Sequence, residues 1–275
     1  MFHQRTATRS QSQPLHSIWE SALDMLTSDR KRQLMARLKA DGKLIAKELS
    51  VEFGVSEDTI RRDLREMAQE GLLQRVHGGA LPASPAMANF AGREEIRHEG
   101  KVAIGRAAAA MIQPGQVAIL DGGTTSREIA RHLPPGLRAT IITHSPTIAV
   151  ELVAHKTVEV LLLGGRLFKH SVVSVGAACF EAIGKIKADL FFMGVTGLHP
   201  QAGLTTGDFE EAAIKRALSR AAAETHVLAS AEKWNAASPY LVLGLTEVSG
   251  IITERGVDDA VLQPYIDLGL AIVRA

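Results

Sequence analysis

Two short apolar stripes lie close together near the start of the chain. Ile45, Leu49 and Phe53 recur every four residues, and Ile60, Leu64 and Met67 recur at four and three. Each spacing marks one face of a helix. Gly54-Val55 stands between them as a tight turn, followed by Ser56. A turn that short forces the helices to cross, and neither is long enough to be stable alone. A preceding helix is expected from Ser28 to Ala40, with Leu34 and Leu38 one turn apart and a stop at Asp41-Gly42. The second is expected over 44–53. The third should start after Ser56, a good N-cap, with Glu57 and Asp58 in the first turn where the helix dipole favours them. It should end near Glu70, before Gly71.

The outer face of the third helix carries the chemistry. Arg61 and Arg65 are one turn apart with Arg62 beside them, and all three lie off the apolar stripe. Ser56 and Thr59 stand at the N-terminal end, the part of a recognition helix that meets base edges. Arginine grips a guanine or a phosphate through two parallel hydrogen bonds. The plain alternative is a solvated charged face, helped by Asp58 pairing with Arg62 and by Arg61 with Glu66 or Arg65 with the neighbours of Glu66. After Gly71, two strand-like runs flank the tip His77-Gly78. They predict a β-wing whose Arg75 and His77 touch phosphate or the minor groove. A hairpin that only packs on the helices is the alternative.

Composition sets the frame around this unit. Of 275 residues, 31 Lys and Arg stand against 30 Asp and Glu, a net charge of +1. Positive charge is therefore local rather than spread over the molecule. With 46% hydrophobic residues, the chain is long enough for about two domains. It holds no run of about eighteen apolar residues, so no membrane-spanning helix is expected. The single Cys179 excludes an intrachain disulfide or Cys-cluster metal site, fits a reducing cytoplasm, and reads as a small buried apolar residue. The ten histidines lack metal-ligand spacing. Neither a metal nor a cofactor is expected. Residues 1–25, rich in Gln, Ser, Thr and His, read as a disordered leader. Met25, just before the helix-start signal Leu26-Thr27-Ser28-Asp29, is the expected native start.

Texture changes near residue 82. The small residues and two prolines of 82–92 read as a linker between a small domain over 26–81 and a larger one over 93–275. The larger domain should open with a helix from Arg93 to Met111. Strands are expected at 117–120, 140–143, 158–163, 190–193, 225–229 and 250–253, with helices between several of them. Such alternation argues an α/β fold with a mostly parallel sheet, which gathers ligands at the carboxyl ends of its strands.

The first strand runs into Asp121-Gly122-Gly123-Thr124-Thr125 and then a helix. Glycines let backbone amides approach an anion, threonines add donors, and the helix end adds positive potential. An ordinary strand-to-helix turn is the alternative, since no lysine follows as in a nucleotide P-loop. Other strand ends are Thr143-His144-Ser145-Pro146, Gly164-Gly165-Arg166, Gly194-Val195-Thr196-Gly197 and Ser230-Ala231-Glu232-Lys233. Glu211 and Lys215, at i and i+4, are either part of a site or a surface ion pair.

The run Ser56-x2-Thr59-Ile60-Arg61-Arg62-Asp63-Leu64, Arg30-x3-Leu34 before it and Arg75-Val76-His77-Gly78-Gly79-Ala80 after it resemble the winged helix-turn-helix of the DeoR family of bacterial transcription regulators. Asp121-x-Gly123-Thr124-Thr125, Gly164-Gly165-Arg166, the segment 188–194, Gly203-Leu204-Thr205-Thr206, Glu211-Ala212-x2-Lys215-Arg216 and Lys233 resemble its effector-sensing domain. The likeness covers residues 26–274. It implies a sensing domain folded like ribose-5-phosphate isomerase, a DNA operator as partner, and a small phosphorylated metabolite as effector. Gly123, Thr124, Thr125 and Lys233 would hold the phosphate and Glu211 would face the sugar, with Asp121, Gly122 and Gly165 completing the site. Thr196 stands where the isomerases need an acidic group, which favours a binder with no catalytic residues. The implied protein is a ligand-controlled repressor of carbohydrate genes, acting as a homodimer or homotetramer on paired half-sites. Two other readings remain open: a sugar-phosphate isomerase with an accessory nucleic-acid-binding module, and a winged helix that binds protein.

Overall fold

The computed structural model describes the backbone from Leu15 to Ala275 and the side chains from Leu26 onward. Its contacts divide the chain between Ala80 and Leu81.

In the first unit, helix α1 spans Leu15–Asp41. It begins well before the expected Ser28, because no glycine or proline interrupts residues 15–41. Residues 15–25 of the expected leader are thus helical, whereas residues 1–14 lie outside the described residues. Strand β1 (Leu44–Ile45) takes the first two positions expected of the second helix, leaving α2 at Ala46–Glu52. Helix α3 covers Glu57–Gln69. The wing forms as strands β2 (Leu73–Val76) and β3 (Gly79–Pro82).

The shortened second helix has a physical cause. Leu44 and Ile45 pair antiparallel with Ala80 and Gly79 of the wing. That pairing is possible only at a glycine, since a Cβ on Gly79 would lie 1.8 Å from the Leu44 carbonyl oxygen. Leu34, Leu38, Leu44, Leu49, Ile60, Leu64, Met67, Leu73 and Ala80 close into one core, with Phe53 packed on its edge. The conspicuous Arg-Arg-Asp of the third helix is divided in role. Asp63 is buried and accepts from Arg30 of α1 through both oxygens, Nη2 to Oδ1 being 3.1 Å. This bidentate pair fixes α3 against α1.

The second unit begins with the segment expected to be a linker. Ala83 bridges to Ala237, Ser84 caps a 3-10 turn at Pro85–Met87, and Asn89 caps helix α4 (Phe90–Glu94). The single helix expected from Arg93 breaks at Arg97, where φ is +53°, before α5 (His98–Met111). Glu254 holds that break through Arg97 Nε at 3.0 Å and Nη2 at 2.7 Å. Then follow β4 (Val117–Leu120), α6 (Thr124–His132), β5 (Thr140–Thr143), α7 (Pro146–Leu152), β6 (Glu159–Leu162) and the hairpin β7 (Arg166–Phe168)/β8 (Val173–Val175). Next come α8 (Ala177–Ile183), β9 (Ala188–Gly194), β10 (Gly197–His199), β11 (Gly203–Thr206), α9 (Phe209–Ala221) and β12 (Ala222–Leu228). The chain closes with β13 (Tyr240–Leu243), β14 (Gly250–Thr253), α10 (Asp259–Ile266) and β15 (Ile272–Arg274).

Seven strands form a sheet in the order β15-β14-β12-β9-β4-β5-β6, every neighbouring pair parallel. Alternate residues feed two cores on opposite faces: Ile119, Phe191 and Val227 on one, and Leu120, Phe192 and Leu228 on the other. Strand order runs outward in both directions from the β4/β9 pair. That switch opens a crevice between their carboxyl ends. The antiparallel sheet β10-β11-β13 was not expected from the sequence; its strands are three or four residues long.

Replacing Arg30 with alanine should cost the first unit about 3 kcal/mol in chemical denaturation, because Asp63 is left charged, buried and alone. The exposed Arg32–Asp29 pair is the control, and Arg32→Ala should leave the curve in place.

Candidate functional site

On the first unit, the structure brings three of the predicted residues, Arg61 of α3 and Arg75 and His77 of the wing, to one cleft. Ser56 caps α3, its Oγ accepting from Thr59 N at 3.1 Å and lying 2.9 Å from Thr59 Oγ1. Arg61, Arg62 and Arg65 are all exposed. Arg61 pairs along the helix with Glu57 at 2.7 Å, not with Glu66. Arg62 and Arg65 form no ion pair among the described residues, so the Asp58–Arg62 pair that would have helped the plain alternative is not formed. Arg75 and His77 are exposed on the wing, and both line a shallow cleft with Arg61 and Gly78. Two unpaired guanidinium groups on a helix, beside a basic wing, form a surface suited to phosphates and base edges.

On the second unit, the β4/β9 crevice holds a cavity. Gly122, Gly123, Thr124, Thr125 and Ser126 line one side, Gly194, Val195 and Thr196 another, and Thr206, Glu211 and Lys215 a third. Arg93, Lys101, Glu232 and Lys233 complete the wall. Gly123 precedes α6 with φ +114° and, having no side chain, leaves the first amides of that helix uncapped. Gly122 packs so closely that a Cβ would meet Val173 at 2.1 Å.

Beneath the cavity lies a closed ionic network. Asp121 is fully buried. Its Oδ1 accepts from His144 Nε2 at 2.9 Å and Gly122 N at 2.8 Å, and its Oδ2 from Gly194 N at 2.8 Å and from Lys215 Nζ. Lys215 also donates to Gly194 O at 3.0 Å and lies 3.4 Å from Glu211 Oε1. Burial by itself would raise the Asp121 pKa, but Lys215 and His144 outweigh it and hold the carboxyl well below its usual range. His144 faces acceptors on both ring nitrogens, Asp121 and, at 2.9 Å, the Ser174 carbonyl. Burial opposes its charge, yet these acceptors and the Asp121 carboxylate lift it to about 9, so the ring is an imidazolium at neutral pH.

Asp121, expected to hold effector, is therefore spent on the protein itself, with both oxygens engaged below the cavity. Gly165 also lies outside the lining: its neighbours are Val175 O, Cys179 and Ser174, the packing of the β7/β8 hairpin. Gly122, Gly123, Thr124, Thr125, Glu211 and Lys233 do meet at the cavity. Glu211 and Lys215 are buried, which removes the surface-pair alternative. Glu211 Oε2 accepts from Thr206 at 3.1 Å and Ser171 at 3.4 Å. Carboxylates flank the space beside Thr196: Glu211, as expected, and Glu232, both from other elements.

Sequence reasoning missed Arg93, Lys101, Ser126 and Glu232. The break at Arg97 brings Arg93 and Lys101 together, so that Lys101 Nζ donates to the Arg93 carbonyl. No spacing in one continuous helix would reveal this. Burial pushes the Lys101 and Arg93 pKa values down. Burial, followed by the nearby Lys101, Arg93 and Lys215, lowers Lys233 to about 8 despite Glu232 beside it. Lys233 Nζ donates to Leu228 O at 3.1 Å. Arg93, Lys101 and Lys233 thus share the cavity wall with the Glu211 and Glu232 carboxylates, and Glu254 and Glu128 lie near Lys101. Arg93 Nε and Nη2, Ser126 Oγ and Glu232 Oε2 are buried without a hydrogen-bond partner.

Residues 30–85 match the family model for the DeoR-like helix-turn-helix domain, and residues 96–255 match that for the DeoR C terminal sensor domain. An HTH-type transcriptional regulator GlpR of Haloferax volcanii is 34% identical over 252 residues, covering 90% of this chain and 98% of its own. A putative aga operon transcriptional repressor of Escherichia coli O157:H7 is 28% identical, covering 90% and 93%. The glycerol-3-phosphate regulon repressor of Escherichia coli K12 is 27% identical, covering 88% and 97%.

The buried imidazolium gives a pH signature. His144 has a raised pKa when folded, so its contribution is complete below its ordinary 6.5 and is lost as pH rises through about 9. The melting temperature should fall across that window, and His144→Asn should flatten the fall.

Proposed function

The chain belongs to the DeoR family of transcription regulators, and from that premise we propose that it represses carbohydrate genes under the control of a small phosphorylated effector. Arg61, Arg62 and Arg65 enter the major groove of an operator, Ser56 and Thr59 meet base edges, and Arg75 and His77 of the wing hold the flanking backbone. A homodimer or homotetramer places two such helices on paired half-sites.

The observation that carries the effector reading is the set of buried, unpartnered donors in the cavity, Arg93 Nε and Nη2 with Ser126 Oγ, beside Lys233 and the uncapped start of α6. Buried donors without partners are costly, and a phosphate supplies acceptors and charge together. A relative named for the glycerol-3-phosphate regulon is in keeping with a phosphorylated ligand. Glu211 and Glu232 offer acceptors for hydroxyl groups of the effector body. We read the site as a binder: Glu211 is held by Lys215, Thr206 and Ser171, which leaves it a poor general base. Turnover of pentose or hexose phosphates by purified protein would favour the isomerase reading instead.

Two measurements test the two halves. Arg61→Ala and Arg65→Ala should each weaken operator binding by about 1–3 kcal/mol where the side chain reads a base. Unchanged affinity in the double variant would leave the wing and helix as a protein-binding surface.

Lys233→Gln should abolish effector-induced release while sparing DNA binding. In the unliganded protein, the depressed Lys233 pKa makes phosphate binding take up protons above about pH 8, with affinity falling as pH rises further. Calorimetry in two buffers of different ionisation enthalpy reads that uptake, and Lys233→Gln should remove it.

A further inference from the structure

Pro82 ends wing strand β3, and from there to Glu94 the chain is fastened to the rest of the second unit at several points. Ala237 N donates to Pro82 O at 3.2 Å, and Ser84 Oγ donates to the Thr196 carbonyl. Phe90 N donates to His170 O at 2.9 Å, and His170 Nε2 lies 3.1 Å from Met87 O. Glu94 pairs with Arg127 at 2.6 Å, and the Arg127 guanidinium lies 5.4 Å from the Phe90 ring centre. Between these fastenings stands Arg93. Its carbonyl is held by Lys101, while two of its guanidinium nitrogens are buried with nothing to donate to.

Arg93 also occupies the junction of two spaces. It lines the cavity above α6 and an adjoining compartment bounded by Met87, Phe168 and His170, and Thr196 and Glu211 belong to both. Lys233 and the α6 amides, by contrast, lie on the body of the sensor domain. A ligand shifts a conformational equilibrium only through contacts that differ between the two states. Contacts to Lys233 and α6 bring affinity, but they do not engage the segment behind the wing. Ala86 and Arg93 of that segment line the cavity, and of the two only Arg93 offers a charge and donors to whatever fills it.

Resting on the anion-site reading above, we infer that Arg93 is a ligand-operated latch: an anion in the cavity bonds its unpaired guanidinium N–H groups and fastens residues 84–94 to the sensor domain. Without an anion, Arg93 Nε and Nη2 are buried donors with nothing to donate to, which favours local opening of that segment. Occupancy removes that tendency. The chain on the sensor side of β3 then changes from intermittently released to held, which gives the effector a route to the wing through covalent continuity.

Hydrogen exchange on the full chain tests this, with inorganic phosphate and glycerol 3-phosphate as probes. The latch requires saturating probe to slow amides in two places, Gly122–Ser126 and 86–94, where Ala86, Phe90, Gly92 and Arg93 carry bonded N–H groups. Slowing at Gly122–Ser126 alone would overturn the latch and leave the anion site standing. No slowing at either place with either probe would remove the anion site, and the latch with it. Arg93→Gln should weaken phosphate binding about tenfold, keep the protection at Gly122–Ser126 and lose it over 86–94. Retained protection of that segment in the variant also overturns the latch. Should the variant fail to fold, exchange in the unaltered protein decides.

Discussion

Asp121 ends β4 at the place where the strand order of the parallel sheet reverses. Its carboxylate accepts from the amides of Gly122 and Gly194, from His144 and from Lys215, and so ties the ends of β4 and β9 to α9 and to the loop after β5. Burying so many charges carries a large desolvation penalty, and it is tolerable only because each lone pair and proton has a partner. With Glu211 included, two anions face two cations and the network is neutral as a whole. This gives the crevice a rigid floor. The glycines above it and the first turn of α6 are held in position by groups of the protein itself.

Neutrality below makes the imbalance above meaningful. Arg93, Lys101 and Lys233 reach the same space from α4, α5 and the loop after β12, and no protein carboxylate neutralises all three. A protein interior does not keep such an excess without a counterion, a titration or a cost. The depressed pKa of Lys233 is the titration, and the unpartnered Arg93 nitrogens are the cost. A doubly charged phosphate would relieve both, which is the ground for the effector site proposed above.

What the sequence disclosed depended on how local each signal was. The stripes Ile60/Leu64/Met67 and the Ser56 cap are contained within a few residues, and α3 forms where they place it. The apolar runs at 117–120, 140–143 and 250–253 are strands for the same reason. The Gly-Gly-Thr-Thr turn is itself a local device, and it does line the cavity. Non-local matters were hidden. Asp121 adjoins the glycines in sequence, and only the fold reveals that His144 and Lys215 claim it. Arg93 and Lys101 meet because one residue, Arg97, takes a left-handed conformation secured by Glu254 from across the domain. Segment 82–92 resembles a linker in composition, yet Ser84 and Asn89 cap short turns that pack on the sensor domain.

Gly79 shows how strict such a long-range demand can be. The atom that would meet an added methyl is the main-chain oxygen of Leu44, which every residue at position 44 would present. Trimming a neighbouring side chain therefore cannot make room. In a search for suppressors, lesions at Gly79 would have no compensating substitution at Leu44, whereas an over-large residue in the core is accommodated by shrinking its neighbour. This position is thus a fixed point in the evolutionary drift of the wing: its surroundings can vary, but the glycine itself cannot be exchanged without abandoning the β1–β3 pairing.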